Sequence, residues 1–311
     1  MRRRRSWAAV AAIATATAAG CGFGAGESSE GEATLTVTRD YGAERLLEAS
    51  EAEPPESRTV IRMLDSAADL TTRYGGGFVH SIDGIEGTLE NGRSVDWFFF
   101  VNGIESSTGA AEVAVRGGDR IWWDYRDWTD ALRTPAVVGS WPEPFAQRSA
   151  QAAADPVTVE CHIDGRACDE VTDRLEQAGV EAPIEASAAP GSGNAPGPRV
   201  LVGTWNRIGD DPVAALLDGG PQASGVFARF ENRSLITLDA GAEPSARLGV
   251  ASGLVAALRR SSEQPTWLVT GTDVEGVKRA VRLLDADHLT DRYAVAASPR
   301  NELALPTQGP R

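Results

Sequence analysis

The side chains with the greatest capacity for chemistry crowd into one stretch, Ile121-Trp122-Trp123-Asp124-Tyr125-Arg126-Asp127-Trp128, with Trp141 shortly after it. Five of the eight tryptophans fall between Trp97 and Trp141, although aromatic residues make up only 6% of the chain. Successive side chains of an extended strand point to opposite faces, so Trp123 and Tyr125 share one face while Trp122, Asp124, Arg126 and Trp128 share the other. If the first face lies on a helix, the second offers indoles beside charges. Trp122, Asp124, Arg126, Trp128 and Trp141 are then candidates for binding a flat organic ligand, a saccharide or a protein partner. The alternative is that Val137-Val138-Gly139-Ser140-Trp141-Pro142-Glu143-Pro144 folds back as a cover over Trp122 and Trp128. Catalytic patterns are thin. His80, His162 and His288 are scattered, and there is no Gly-x-Ser-x-Gly elbow, phosphate loop or His-Glu-x-x-His. Asp124, Asp127 and Asp130 could serve a hydrolase acting on glycans, but carboxylates on a surface strand and loop more often only solvate it. The expectation is a protein that is not an enzyme and needs no cofactor.

Composition and the N-terminus set the address. A chain of 311 residues, 42% apolar, can bury two ordinary cores. With 44 acidic against 30 basic side chains and a net charge of −14, it lacks the basic clusters that a nucleic-acid partner requires. Arg2 to Arg5, the small apolar run Ala8 to Ala19 and the ending Ala18-Ala19-Gly20-Cys21 are the three parts of a secretory signal peptide over residues 1–20. The apolar run is too short to span a bilayer, which needs roughly 20 residues. Cysteine after small residues resembles the bacterial lipoprotein lipobox, although Ala18 stands where a leucine is usual. The resemblance implies that Cys21 becomes the lipidated N-terminus; an ordinary signal peptide cut nearby is the alternative. Residues 21–32 are rich in Gly, Ser and Glu, as a tether should be. Loss of residues 1–20 removes four arginines and no acid, leaving a charge of −18. So acidic a body is repelled by anionic lipid, and the lipid itself must anchor it to the outer face of the cell membrane. Export also favours pairing of Cys161 with Cys168. The rival, a metal site with His162 as third ligand, has a spacing that fits no common zinc pattern.

The rest of the chain must position these residues. Thr34-Leu35-Thr36-Val37-Thr38 and a stretch through Leu46-Leu47 read as a hairpin turning at Tyr41-Gly42. Val60, Met63, Leu64, Ala67 and Leu70 recur at three and four, the stripe of a helix lying on a sheet. Strands are expected at Phe78–Ile82, Val95–Val101 and Arg120–Tyr125. Gly75, Gly76 and Gly77 lie at the negative end of the preceding helix, which favours a tight turn over an anion cradle. Strand, strand, helix and three strands is the order of a β-grasp, an α+β domain over residues 33–145. A polar connector covers 146–155. Residues 156–300 alternate strands (Val157–His162, Val200–Thr204, Ser234–Leu238, Trp267–Gly271, Tyr293–Ala297) with helices at Cys168–Ala178, Pro244–Arg260 and after Asp273. That pattern predicts an α/β layered domain with a mostly parallel sheet, followed by a disordered tail, 301–311. In such a sheet Thr204-Trp205-Asn206 and Thr270-Gly271-Thr272-Asp273 can converge on one crevice, or Gly271-Thr272-Asp273 can be just a turn and a helix cap.

Three segments carry a family likeness. Tyr74-Gly75-Gly76-Gly77-Phe78-Val79 with Ser81-Ile82-Asp83-Gly84, then Asp96-Trp97-Phe98-Phe99-Phe100-Val101-Asn102-Gly103, then Gly117-Gly118-Asp119-Arg120-Ile121-Trp122-Trp123 resemble the transcobalamin-like C-terminal domain family. The resemblance covers about residues 33 to 145. It implies extracytoplasmic ligand binding, with a corrinoid as the ligand class, and carries over no contact residue by residue. The expected function is capture or delivery of such a small molecule. The alternative is a cell-surface module whose tryptophan face docks a membrane transporter component.

Overall fold

The structure, a computed structural model, describes residues 28–73, 77–90, 92–146, 155–163, 166–181, 183–187 and 197–308. The expected signal peptide, the expected lipidation site Cys21, the first part of the tether, Gly75 and Gly76 and most of the connector lie outside the described residues. The chain is a mixed α and β protein, and among the described residues no helix is long and apolar enough to cross a membrane.

In the N-terminal body the alternating threonines form β1 (Glu32–Arg39), which turns through left-handed Asp40, Tyr41 and Gly42 into β2 (Glu44–Ala52). Helix α1 (Val60–Asp65) buries Val60, Met63 and Leu64. It ends earlier than the apolar stripe suggests. Leu70 belongs instead to β3 (Leu70–Arg73), which pairs with β4 (Phe78–Ile82), and β4 with β5 (Ile85–Glu86). Then come β6 (Thr88–Glu90), β7 (Arg93–Val101), β8 (Ile104–Glu105) and β9 (Arg120–Asp127). The main sheet runs β2-β1-β9-β7-β6, with β8 also on β7; β1 and β9 are parallel and the other neighbours antiparallel. One face of it, with Leu35, Val37, Trp97, Phe99, Ile121 and Trp123, closes on α1.

The C-terminal body opens with β10 (Val157–Cys161), α2 (Ala167–Gln177), β11 (Ile184–Ser187) and β12 (Arg199–Thr204). A long excursion follows through α3 (Trp205–Ile208), a 3-10 turn at Ala214–Gly219, α4 (Pro221–Ser224), β13 (Ala228–Glu231), β14 (Ser234–Leu238) and β15 (Pro244–Leu248). The chain then completes its sheet with β16 (Gly253–Leu258), β17 (Thr266–Gly271), α5 (Val274–Arg282), α6 (Ala286–Leu289), β18 (Ala294–Ala297) and β19 (Glu302–Leu305). The order is β11-β10-β12-β17-β16-β18-β19. Its first three pairings are parallel and its last three antiparallel, so the sheet is evenly mixed rather than mostly parallel.

Three further expectations change. The helix expected over 244–260 is two strands, β15 and β16, joined through left-handed Ala251. All six residues of β16 are buried, because the strand is central and covered on both faces, and such a continuous apolar run mimics a helical stripe. Strand β14 has the expected bounds but sits in a separate three-stranded sheet, β13-β14-β15. Residues 302–305 of the supposed tail form an edge strand on β18.

Alternation along the buried strands divides the core. Val200, Val202, Val255, Ala257, Trp267, Val269 and Val295 face α2 and α5. Leu201, Leu254, Ala256, Leu258, Leu268, Ala294 and Ala296 face the excursion, together with Tyr41, Phe100 and Trp122 of the N-terminal body. The two bodies thus share one apolar cluster, and the segment 136–145 bridges them by placing Val137 in this cluster and Trp141 and Phe145 against Trp267.

Cys161 and Cys168 are joined by a disulfide that ties the end of β10 to the first turn of α2. They stand seven positions apart, and closing so short a loop in the unfolded chain is worth about 2 kcal/mol. Reduction, or the pair Cys161→Ser with Cys168→Ser, is expected to lower the unfolding free energy by that amount and so shift the urea midpoint down. An unchanged midpoint in dithiothreitol would show that the bridge constrains nothing.

Candidate functional site

The tryptophan face is real but not free. Trp122, Asp124 and Arg126 do share a face of β9, opposite Trp123, yet all three are buried, and so is Trp141; only Trp128 is half-buried. The cover is chiefly the C-terminal body, and only in part the segment 136–145. Tyr293 packs edge-on against Trp122, Phe100 and Tyr41 with centroids 5.1–5.6 Å apart. Gly139 lies so close that a Cβ there would sit 2.6 Å from Trp122 Cζ3 and 2.8 Å from the backbone of Arg292.

The charges on this face are spent on internal bonds. Asp124, 0% exposed, accepts from Thr38 Oγ1 at 2.6 Å, Tyr293 Oη at 2.9 Å and the Gly42 amide at 3.1 Å. Burial pushes its carboxyl above the ordinary range, against the pull of those three donors and of the Arg126 guanidinium. Burial and the neighbouring Asp124 likewise push the Tyr293 phenol well up, so it stays a donor. Trp122 Nε1 donates to Thr38 Oγ1 at 2.8 Å. Arg126 lies 3.9 Å over the Phe98 ring, donates to Ala131 O at 2.7 Å and faces Glu105 at 3.4 Å. Trp122 and Asp124 thus lie in a seam between the bodies, Arg126 is engaged within the N-terminal body and Trp141 packs on Phe145 and Trp267, so four of the five candidate residues are buried and only Trp128 stays half-exposed.

An open crevice exists elsewhere. The chain leaves β10 through α2 to β11 on one side, then returns to β12 on the other, which makes the carboxyl ends of β10 and β12 a topological switch point, where open sheets of this kind bind ligands. A cleft of about 600 Å³ opens there. Ile163 follows β10, Thr204 to Arg207 follow β12, and Thr272, Asp273 and Val274 follow β17, so the two loops named from the sequence do converge. Phe230 and Arg233, from the β13–β14 hairpin, close the far wall, and Phe230 stacks on Trp205 with centroids 4.7 Å apart and planes 11° apart.

The electrostatics follow from which charges are used. Asp273 caps α5, accepting from the Gly276 amide at 2.9 Å and, with its other oxygen, from the Ala251 amide at 2.8 Å. It therefore occupies the helix N-terminus itself. Arg207 makes one bond, 3.3 Å to His162 O, and neither it nor Arg233 has a carboxylate partner among the described residues. Two exposed guanidiniums beside an aromatic pair suit an organic anion with a flat portion. Arg207 lies just past the loop named from the sequence. Phe230 and Arg233 were missed; the turn signal Glu231-Asn232-Arg233-Ser234 marks their hairpin, but nothing local places it over β12.

Residues 57–127 match a domain of unknown function, DUF4430. The match runs from the approach to α1 to the end of β9, within the N-terminal body, and does not reach the crevice. A crystal structure of a "putative metal binding protein" from Ruminococcus gnavus covers 32% of this chain and 98% of its own, at 18% identity and a TM-score of 0.25. Likeness at that level carries no argument about function. Among the described residues, no three His, Cys, Asp or Glu side chains are grouped to hold a metal ion. No curated protein matches the chain.

Proposed function

We propose that the chain is an exported binding protein, held at the outer face of a bacterial membrane by a lipidated Cys21, that captures a small organic anion in the crevice of its seven-stranded sheet and performs no reaction on it. The observation that carries this reading is the convergence of the loops after β10, β12 and β17 on one cleft with an aromatic wall and two arginines that have no carboxylate partner among the described residues. Its size lies within the range of pockets that enclose most of a drug-sized ligand. The N-terminal body, whose order β2-β1-β9-β7-β6 with one helix suits a β-grasp, then serves as the scaffold against which the binding body is fixed. The transcobalamin-like resemblance makes a corrinoid the first ligand to try. Cobalamin carries a phosphodiester that Arg207 and Arg233 could hold, and cobinamide lacks it.

Calorimetric titration of the full chain with cobalamin, cobinamide and the simple flat anion 2-naphthoate tests the reading. Cobalamin or 2-naphthoate is expected to saturate, and the pair Arg207→Ala with Arg233→Ala to weaken that binding at least tenfold, the size of a lost charge-assisted contact. If only 2-naphthoate saturates, the crevice stands and the corrinoid falls. If neither anion saturates, or the double variant binds unchanged, the crevice reading falls, and docking of a transporter component becomes the better explanation of export.

A further inference from the structure

Strand β2 is an edge of the N-terminal sheet: among the described residues it pairs with β1 alone. The ladder fixes which of its backbone groups are left over. Thr34 N donates to Asp119 O at 2.9 Å and Gly118 N donates to Glu32 O at 3.0 Å, so alternate residues of β1, Glu32, Thr34 and Thr36, turn their N–H and C=O towards β9. Ala33, Leu35 and Val37 therefore turn theirs towards Glu51, Ala49 and Leu47 of β2. The N–H and C=O groups of Glu48, Ser50 and Ala52 then point away from the sheet, and all three residues are exposed. Such a row is a template for one more strand.

A groove runs beside it. About 470 Å³ opens between β2 and the helix, lined by Leu47, Ala49 and Glu51 of the strand, Met63 of α1, Ala67 just past it and Arg58. An added strand would send alternate side chains into this groove. The Glu51 carboxylate there is met by Arg58 Nη2 at 2.5 Å, so the groove suits small apolar side chains. The opposite face of the edge has a surplus of negative charge. Arg45 bonds both Asp291, at 2.5 Å, and Glu48, at 2.8 Å, while Glu32 accepts from Ser50 Oγ at 2.7 Å, which sets three carboxylates against one guanidinium. A second copy paired on this edge would bring its own acids onto the same ones, and like charges on neighbouring strands repel.

We propose that β2 takes up an extended basic segment of another protein as an added strand. Its small apolar side chains would lie in the groove against Leu47, Met63 and Ala67, and its lysines or arginines on the other face, beside Glu48. The site shares no residue with the crevice, so the failure of either leaves the other standing.

The probe is an acetylated, amidated heptapeptide of alternating lysine and valine, with its glutamate and valine counterpart as the charge control. Titrated into the full chain, the basic peptide is expected to saturate and to slow hydrogen exchange at the Glu48, Ser50 and Ala52 amides. It should bind about tenfold more tightly than the acidic peptide, with an affinity that falls as salt is added. Glu48→Lys reverses the charge on the exposed edge and should weaken the basic peptide about fivefold, the worth of a cross-strand ion pair exchanged for a repulsion. Ser50→Pro deletes one outward N–H, which an edge strand tolerates, and should weaken it by a similar factor. No saturation, equal affinity for the two peptides, unchanged exchange at the three amides, or binding that both variants leave intact would overturn the proposal. So would protection of those amides in the free chain as it dimerises with concentration, since the edge would then take a second copy.

Discussion

Asp124→Ala is expected to cost the whole chain about 3–5 kcal/mol, the range measured when one partner of a fully buried charged network is removed. Three donors converge on this carboxylate, from β1 (Thr38), from the β1–β2 turn (Gly42) and from the far body (Tyr293), and none can reach water once it is gone. Asp124→Asn retains an acceptor at one oxygen and lets the Tyr293 hydroxyl reorient, so its loss should be nearer 1 kcal/mol; Tyr293→Phe removes a single bond and should fall between the two. Urea denaturation followed by tryptophan fluorescence measures all three. Because Trp122, Phe100 and Tyr41 belong to the same apolar cluster as Leu254 and Phe227, the parent chain is expected to unfold in one transition, and Asp124→Ala to lower that transition as a whole. A loss below about 1 kcal/mol for Asp124→Ala would mean that apolar packing alone holds the bodies together.

The same residues show what local pattern can and cannot reveal. The period of two along Ile121–Trp128 placed Trp122, Asp124 and Arg126 together on one face, and the structure does place them so. What covers that face was beyond reach, because Tyr293 arrives 169 residues after Asp124 and nothing in the β9 stretch encodes it. Indoles beside charges look alike whether they await a ligand or a second body. Strand ends are more legible: the alternating elements leave open whether the loops after β12 and β17 meet at one crevice or only turn and cap a helix, and both hold, since the loops line one cleft and Asp273 caps α5. The far wall is not legible, since the alternating pattern puts the strand at 234–238 in the main sheet, whereas it lies in a separate three-stranded one. The stripe Leu248, Ala251, Leu254, Val255, Leu258 failed for a related reason. A strand buried on both faces has no polar alternation to betray it, and only Gly249 and Gly253 flanking the break argued against a helix.

Glu143 supplies the second large effect, and it is one of pH. The bridging segment places this side chain near Arg120 and Asp119, with one carboxylate oxygen buried and without a hydrogen-bond partner among the described residues. Burial, with a smaller push from Asp119, raises its pKa from 4.5 to about 7 against the pull of Arg120. Between those values the folded chain retains a proton that the unfolded chain has released, so stability must fall as pH rises through this window. At about 1.4 kcal/mol per unit the cumulative loss is on the order of 3 kcal/mol, complete once the pH passes the folded value. Glu143→Gln is neutral at every pH and fills the same space, so it is expected to lack this component. The informative quantity is the difference in unfolding free energy between variant and parent, which cancels every other titrating group. That difference should grow in favour of Glu143→Gln by on the order of 3 kcal/mol between pH 4.5 and pH 8. A difference that stays flat across the window would place the Glu143 carboxyl near its ordinary pKa and reopen how the bridging segment is solvated.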